Sequence, residues 1–291
     1  MSRRREYWKG ITVTFVGVLV LSTDALLIRA SGISGPKAAF WRASCAFFAL
    51  VLLFRATTRR EWKETLVAGG TRMLISGFLW GASGLTFAIG IYNSGAAIAL
   101  VMLALAPFFA ATHSYLFYRT KSHPLTLVAA VGAVAGIAYM YGSQLDRIGA
   151  HDLFYTIWAP LIYGFNLSFL RRHTAINRIS VSMVGGLVGA IVSFAMAKGI
   201  VEVTLVQLLP LVILGSLMIP VGQTAIGIGT KYIPAGESAL ISSLETIIGI
   251  FYVWFFLCEV PSKETLIGAA IVFGSVIANT LMQAYRAEGR A

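Results

Sequence analysis

Charged residues are scarce in this sequence, making up 12% of its 291 residues, and no long polar stretch interrupts it. A soluble catalytic or nucleotide-binding domain therefore has no place within it, which excludes an ATP-driven pump made of this chain alone. The zinc-protease motif HExxH and the phosphate-binding Walker A motif are both missing, and the glycine-rich runs lie within apolar segments. The sequence therefore indicates neither metal-dependent nor nucleotide-dependent chemistry.

Cysteine is equally rare. The two cysteines, Cys45 and Cys258, both lie in apolar segments, where a free cysteine behaves as a small hydrophobic residue. Neither a disulfide nor a metal cluster is implied, and we expect the protein to use no cofactor.

Apolar residues dominate instead, at 57% of the chain. A bilayer core of roughly 30 Å is crossed by a helix of about 20 mostly apolar residues. Ten segments of the sequence meet this requirement, so we predict an all-α membrane protein with ten transmembrane helices. The predicted spans are residues 11–29, 36–54, 72–92, 95–118, 124–141, 153–170, 180–197, 208–228, 235–257 and 265–285.

The net charge of +11 comes from basic residues that are distributed unevenly between these spans. With a cytoplasmic N-terminus, 17 of the 23 Lys and Arg residues fall on the cytoplasmic side, in agreement with the positive-inside rule. The six on the opposite side are Arg29, Lys37, Arg42, Arg147, Lys198 and Lys263. We therefore predict that both termini are cytoplasmic and that the basic residues contact anionic lipids, with no nucleic-acid partner.

The two halves of the chain are related by an unbroken offset of 139 residues. Residue pairs at this offset include Ala96 and Ala235, Leu105 and Leu244, and Thr126 and Thr265. Because each half has an odd number of predicted spans, the second half must be inverted relative to the first, as in many secondary transporters. We therefore predict one transmembrane transporter domain over residues 1–291, with a first repeat over residues 10–143 and a second, inverted repeat over residues 151–286.

Short motifs also occur in the order and spacing of a known family. They are Leu21-Ser22-Thr23, Phe40-Trp41-Arg42, Leu105-Ala106-Pro107, Leu244-Glu245, Cys258-Glu259 and Ile267-Gly268-Ala269-Ala270. Over essentially the whole chain this pattern resembles the drug/metabolite transporter superfamily, in its EamA-type ten-helix branch. Within that branch, the first span most resembles the YddG-type exporters of aromatic and other amino acids.

The resemblance implies a secondary transporter, not an enzyme, that exports small metabolites through a central cavity by alternating access, with amino acids as the first substrate class. It also implies a multi-pass protein of the bacterial inner membrane, whose partners are a small-molecule substrate and membrane lipids. An exporter of cationic drugs or nucleotide-type metabolites, a membrane enzyme and a lipid scramblase stay open as alternatives. Because each half can bury its polar residues against the other, we predict a monomer.

Three carboxylates, Asp24, Glu237 and Glu245, lie within the predicted spans. A charge at the bilayer centre costs about 3 kcal/mol or more, so each is expected to face a partner or a water-filled cavity. Asp24 is within reach of Arg29 or Arg42 if the first two helices pack antiparallel, which predicts an ion pair. Glu237 lies at the predicted start of a span, where it favours the positive end of the helix dipole. Glu245, near mid-span, is the best candidate for binding a substrate amine or a proton.

The other candidate binding residues are polar or aromatic. Arg42 can bind a carboxylate through its planar guanidinium, or it can extend outward to the membrane interface. Aromatic rings can line a cavity but often anchor the interface, and amides suit a zwitterion but often bond between helices. The predicted substrate-binding residues are Ser22, Asp24, Trp41, Arg42, Trp80, Asn93, Tyr163, Asn166, Gln223 and Glu245.

Prolines within spans remove a backbone hydrogen bond and permit a kink. We therefore predict hinges or kinks at Pro107, Pro160 and Pro220, around a central cavity. Runs of small residues at 81–84 and 185–189 permit close contact and sliding between helices. Such packing is compatible with rocking between two open states and equally with a static bundle.

Overall fold

The computed structural model describes residues 3–58, 61–94, 99, 102–103, 105–120, 123–145, 150–199, 201–257 and 262–288. Within these ranges the chain is helical and contains no strand. Residues 95–98 at the start of the predicted fourth span, Arg147 and the Cys258-Glu259 motif lie outside the described residues.

The described helices are numbered in chain order. In the first half they are α1 (Arg3–Leu21), α2 (Asp24–Ser31), α3 (Gly35–Thr58), α4 (Trp62–Ser94), α5 (Ala106–Tyr118) and α6 (Pro124–Leu145). In the second half they are α7 (Ala150–Arg172), α8 (Arg178–Met196), α9 (Leu205–Ile213), a π-helical turn (Leu214–Met218), α10 (Ile219–Gly229), α11 (Ala235–Ser242), α12 (Leu244–Leu257) and α13 (Lys263–Glu288).

The helical segments have the length and composition of membrane spans. Among the described residues, six helical segments are long and apolar enough to cross a bilayer. They are Arg5–Ser31, Gly35–Thr58, Trp62–Asn93, Arg178–Met196, Leu205–Gly229 and Ala235–Phe256. Large apolar side chains point outward along them, such as Val206 at 82% exposure and Phe255 at 79%. An apolar surface of this extent requires lipid around it. The protein is therefore a multi-pass membrane protein, while ten spans in two inverted repeats stay a prediction.

Several predicted spans are interrupted where the sequence suggested one continuous helix. The first span breaks at Ser22 and Thr23, between α1 and α2, and the ninth breaks at Ser243, between α11 and α12. At the first break the hydroxyls of Ser22 and Thr23 donate to the carbonyl oxygens of Val18 and Val20, at 2.7 and 2.8 Å. Hydroxyls that bond to the preceding turn in this way favour a bend, so local side chains satisfy part of the interrupted backbone.

Glycines allow the helices to pack in close contact. Where α4 crosses α8, a Cβ atom added at Gly81 would lie only 2.5 Å from the carbonyl oxygen of Gly185. Where α1 crosses α10, a Cβ atom at Gly222 would lie 2.9 Å from the carbonyl oxygen of Gly17. These distances show backbone-to-backbone contact between helices, which is the packing that small residues permit in membranes.

We expect Gly81→Ala to destabilise the protein by about 1–3 kcal/mol, because the added methyl forces α4 away from α8 in a packed interior. The measurement is the thermal unfolding midpoint of the purified variant in detergent. Gly274→Ala is the matched control, since a Cβ atom there meets no described heavy atom within 4 Å. Equal midpoints for the two variants would contradict the assigned contact.

Candidate functional site

A cavity lies in the interior of the helix bundle. Its walls come from α1 to α4 and from α7, α10 and α12, so both predicted halves contribute to it. Six of the ten predicted binding residues line it: Asp24, Arg42, Trp80, Tyr163, Gln223 and Glu245. The remaining lining residues are Leu21, Ser83, Gly84, Phe87 and Leu103. We call this space the central cavity.

The charged part of the central cavity is an ion pair between the first two predicted spans. Arg42 Nη2 lies 3.0 Å from Asp24 Oδ2, and the two residues are only 6% and 4% exposed. The predicted ion pair is therefore confirmed, with Arg42 and not the exposed Arg29 as the partner. The alternative in which Arg42 extends outward to the interface is wrong, because the buried Asp24 carboxylate holds the guanidinium inside the bundle.

The ion pair leaves hydrogen-bonding capacity unused. Asp24 Oδ1 and Arg42 Nη1 are both buried and have no hydrogen-bond partner within the described ranges. Buried polar groups are nearly always paired in folded proteins, so unpaired ones need an explanation. One unpaired donor and one unpaired acceptor on two residues that line the same cavity are suited to a ligand that carries both kinds of group.

Glu245 brings a second carboxylate to the central cavity. It lies in the first turn of α12, directly after the break at Ser243, and it is half-buried. The described part of the chain gives Glu245 no hydrogen bond or ion pair. The start of a helix favours a negative charge, so this position can hold a carboxylate that is available to a cationic group of a substrate.

Two aromatic rings form another part of the wall. Trp80 and Tyr163 make an edge-to-face contact, with ring centroids 6.2 Å apart. The Tyr163 hydroxyl is 2.9 Å from the Ser242 hydroxyl, and Ser242 in turn donates to the carbonyl oxygen of Ser238. The side chain of Tyr163 thereby links its own helix, α7, to the end of α11, next to the break that precedes Glu245.

Comparisons with known proteins show that part of this chain is similar to transporters. Residues 152–281 match the EamA-like transporter family. Because of this match we refer to residues 152–281 as the EamA-like domain. This EamA-like domain supplies Tyr163, Gln223 and Glu245 to the central cavity.

More distant relatives extend over most of the chain. The uncharacterized transporter YdfC of Bacillus subtilis (strain 168) is 21% identical over 216 residues, which are 68% of this chain and 69% of that protein. A crystal structure of another protein is 16% identical and aligns over 94% of this chain and 96% of its own, with a TM-score of 0.77. That likeness shows the fold alone. The findings support the EamA-type family and give no support to the narrower YddG-type subtype.

Four predicted binding residues are not among those that line the central cavity. Ser22 is bonded to its own helix, and the Trp41 indole N–H donates to the carbonyl oxygen of Val201 at 2.8 Å. Asn93 is exposed at the end of α4. Asn166, in the EamA-like domain, is buried and accepts a hydrogen bond from Ser76 at 2.6 Å. For these four, a substrate-binding role stays a prediction.

The predicted hinge prolines differ in their surroundings. Pro107 is near the first residue of α5, and Pro220 is near the first residue of α10, directly after the π-helical turn. Pro160 lies inside α7, which continues without interruption from Ala150 to Arg172. Two of the three prolines are therefore next to departures from α-helix geometry.

The sequence did not reveal every residue of the cavity wall. Ser83 and Gly84 line it on α4, and Leu21, Phe87 and Leu103 contribute apolar surface. Residues of these types are abundant in apolar spans, so nothing in their spacing distinguishes a cavity wall from ordinary helix packing. The helix breaks at Ser22-Thr23 and Ser243 were likewise not predicted, although clustered hydroxyls were the available signal.

Hydrogen bonds link several helices at the end of the bundle where α1 begins and α7 ends. The Tyr7 hydroxyl donates to Glu237 Oε2 at 2.9 Å, which links α1 to the first turn of α11 within the EamA-like domain. Glu237 therefore does lie at the start of its helix, as predicted. At the same end, Arg171 donates to the carbonyl oxygens of Thr230 and Lys231, at 3.2 and 2.6 Å. This end of the bundle is tied together by side chains from both halves.

Proposed function

We propose that this protein is a secondary transporter that exports small metabolites, amino acids first among them, across the cytoplasmic membrane by alternating access. The observation that carries the proposal is the set of polar groups in the central cavity. Arg42 offers an unpaired donor, Asp24 an unpaired acceptor and Glu245 a further carboxylate. A zwitterionic amino acid carries a carboxylate that complements Arg42 and an ammonium group that complements Asp24 and Glu245. It can therefore bond to cavity groups of both charges in a single bound pose.

The aromatic wall and the charge balance favour an amino acid over the alternatives. Cationic drugs need negative groups alone, whereas this cavity also holds the guanidinium of Arg42. Nucleotide-type metabolites carry several negative charges, which Asp24 and Glu245 would repel. The paired rings of Trp80 and Tyr163 offer an apolar surface on which an amino-acid side chain can pack.

The proposed architecture is two inverted five-helix repeats with both termini cytoplasmic. In support, the turn at Leu105 before α5 and the turn at Ser243 before α12 are 138 residues apart, within one residue of the offset between the two halves. The EamA-like domain also lies within the predicted second repeat. Equivalent helix breaks in two inverted repeats are a common way for transporters to build a substrate site near the middle of the membrane.

Alternating access in this protein would depend on its broken helices and its glycine contacts. The breaks at Ser22-Thr23 and Ser243 both adjoin the central cavity, next to Asp24 and Glu245. Segments on either side of a break can tilt separately, and glycine-to-glycine contacts allow sliding without side-chain interlocking. We propose that a monomer in the inner membrane rocks between inward-open and outward-open states in this way.

Efflux from proteoliposomes tests the proposed function. The purified protein is reconstituted into vesicles preloaded with all common amino acids, and the loss of each is followed by mass spectrometry with and without a proton gradient. Selective loss of some amino acids is the expected result, and its response to the gradient distinguishes coupled from facilitated transport. Loss no greater than that from protein-free vesicles, with folded protein present, would contradict amino-acid export.

We expect Glu245→Gln to lower the rate of amino-acid efflux by about tenfold or more, because a charge-assisted hydrogen bond to the substrate amine is replaced by a neutral one. The amide keeps the size of the side chain, so the unfolding midpoint should not fall. Glu264→Gln is the matched control, since Glu264 is exposed at the start of α13. Efflux from Glu245→Gln at the wild-type rate for every substrate would remove Glu245 from the site.

A further inference from the structure

A second, smaller cavity adjoins the central cavity at Arg42. The two share Arg42, Trp80, Gly84 and Gln223 in their walls. Most of the remaining wall is glycine and alanine from α3, α4 and α8. We call this second space the recess. Glycine and alanine make up more than half of the residues that line the recess, so the three helices pack closely around it.

Two polar groups in the wall of the recess lack partners. Arg42 Nη1 and the Ser193 hydroxyl are both buried, at 6% and 0% exposure of their residues, and neither bonds to any described residue. Both can donate a hydrogen bond. Two unpaired buried donors that line one small space indicate that the space receives a group with acceptor oxygens.

The charges are separated between the two cavities. Asp24 and Glu245 line the central cavity, whereas Arg42 is the only charged residue among the described residues that line the recess. A positive recess beside a more negative cavity matches a molecule with a negative group at one end and a positive group at the other. A guanidinium has several donors in one plane, so Nη2 of Arg42 can bond to Asp24 while Nη1 stays without a partner.

We propose that the recess is the subsite for the substrate's carboxylate. Arg42 Nη1 and the Ser193 hydroxyl donate hydrogen bonds to this carboxylate, and the substrate's amine stays in the central cavity with Asp24 and Glu245. Gly84 lies at the junction of the two cavities, where a Cβ atom would have Arg42 Nη2 as its nearest neighbour, at 3.8 Å. This position therefore controls access to the guanidinium. The proposal rests on the proposed function, since it assigns a role to part of the same site.

The test is a binding competition on the purified protein, using a radiolabelled amino acid that the efflux experiment identifies as a substrate. The competitors are the unlabelled amino acid, the amino alcohol that lacks its carboxylate, and the hydroxy acid that lacks its amine. We expect the amino alcohol to compete at least about tenfold more weakly than the amino acid. In Ser193→Ala, affinity for the amino acid and the hydroxy acid should fall about tenfold, while affinity for the amino alcohol should not change.

Ser275→Ala is the matched control, because Ser275 donates to the carbonyl oxygen of Ile271 within α13 and lines neither cavity. Gly84→Ala is the second variant, in case Ser193→Ala does not fold. Its methyl group has space but narrows the approach to Arg42, so it should also weaken the amino acid and the hydroxy acid selectively.

The outcomes separate the two proposals. Amino-acid efflux combined with equal competition by the amino alcohol would overturn the carboxylate subsite and leave the transporter function intact. Equal weakening of all three competitors in Ser193→Ala and in Gly84→Ala would overturn it as well. Absence of amino-acid efflux, together with absence of binding by the amino acid and the hydroxy acid, would overturn both.

Discussion

Asp24→Asn and Arg42→Gln, made separately, are each expected to destabilise the protein by about 3–5 kcal/mol, because each leaves one buried charge without its partner. The two groups are 3.0 Å apart and almost fully buried, so water does not replace the lost partner of either group in this state. A loss of this size is comparable to a large part of the total stability of a typical domain. We expect little folded protein from either single variant, measured by size-exclusion chromatography and by the unfolding midpoint.

The double variant Asp24→Asn/Arg42→Gln separates stability from transport. Two neutral amides carry no unpaired charge and can bond to each other, so the double variant should recover most of the lost stability. It should not recover efflux, because the substrate loses two of its three charged partners, including the only cationic one. Full recovery of efflux would show that the pair is structural only. Wild-type midpoints for both single variants would contradict the buried ion pair itself.

Arg178→Ala is expected to cost roughly 3 kcal/mol or more, since it leaves several buried carbonyl oxygens without a donor at about 1–3 kcal/mol each. The guanidinium of Arg178 donates to the carbonyl oxygens of Gly227 at 2.8 Å, His173 at 3.0 Å and Leu170 at 2.7 Å. These carbonyls end α7 and α10, where a positive charge also favours the helix dipoles. The measurement is the unfolding midpoint and the yield of folded protein.

Two further variants control this prediction. Arg178→Lys should recover only part of the stability, because an ammonium group cannot reproduce the planar set of donors. Arg172→Ala removes a neighbouring exposed arginine and should change stability by about 0.5 kcal/mol or less. Arg178 lines neither cavity, so folded Arg178→Lys should retain efflux. Similar midpoints for Arg178→Ala and Arg172→Ala would show that the buried hydrogen bonds contribute little.

That the chain spans a membrane was predictable, because spanning depends on the average hydrophobicity of segments of about 20 residues. An apolar segment of sufficient length needs the bilayer whatever its neighbours are, and exposed side chains such as Phe255 and Val206 face outward as expected. The interruptions of these helices were not predictable in the same way. Ser22, Thr23 and Ser243 are compatible with a continuous helix, and only the surrounding packing determines whether their hydroxyls accompany a break.

The candidate site was predictable in part. Asp24, Arg42 and Glu245 were identifiable because a charge inside an apolar span has a high cost and therefore a partner or a function. Trp80 and Tyr163 were identifiable by their depth in the spans. Trp41 and Asn93 have the same chemistry, yet they lie away from the central cavity. Residue type and depth do not specify which face of a helix turns inward.

The sequence by itself determined that this chain crosses a membrane several times and that a few charges must be buried within it. The reason is that the free energy of placing a segment in the bilayer depends on how apolar or charged each of its residues is. Only the tertiary structure decided that Arg42 bonds to Asp24, that Glu245 faces the same space, and that glycines leave a recess beside Ser193. The reason is that these features depend on distances between helices far apart in the chain. Small residues such as glycine and serine allow two helices to approach closely, but the local sequence does not show which two helices will meet.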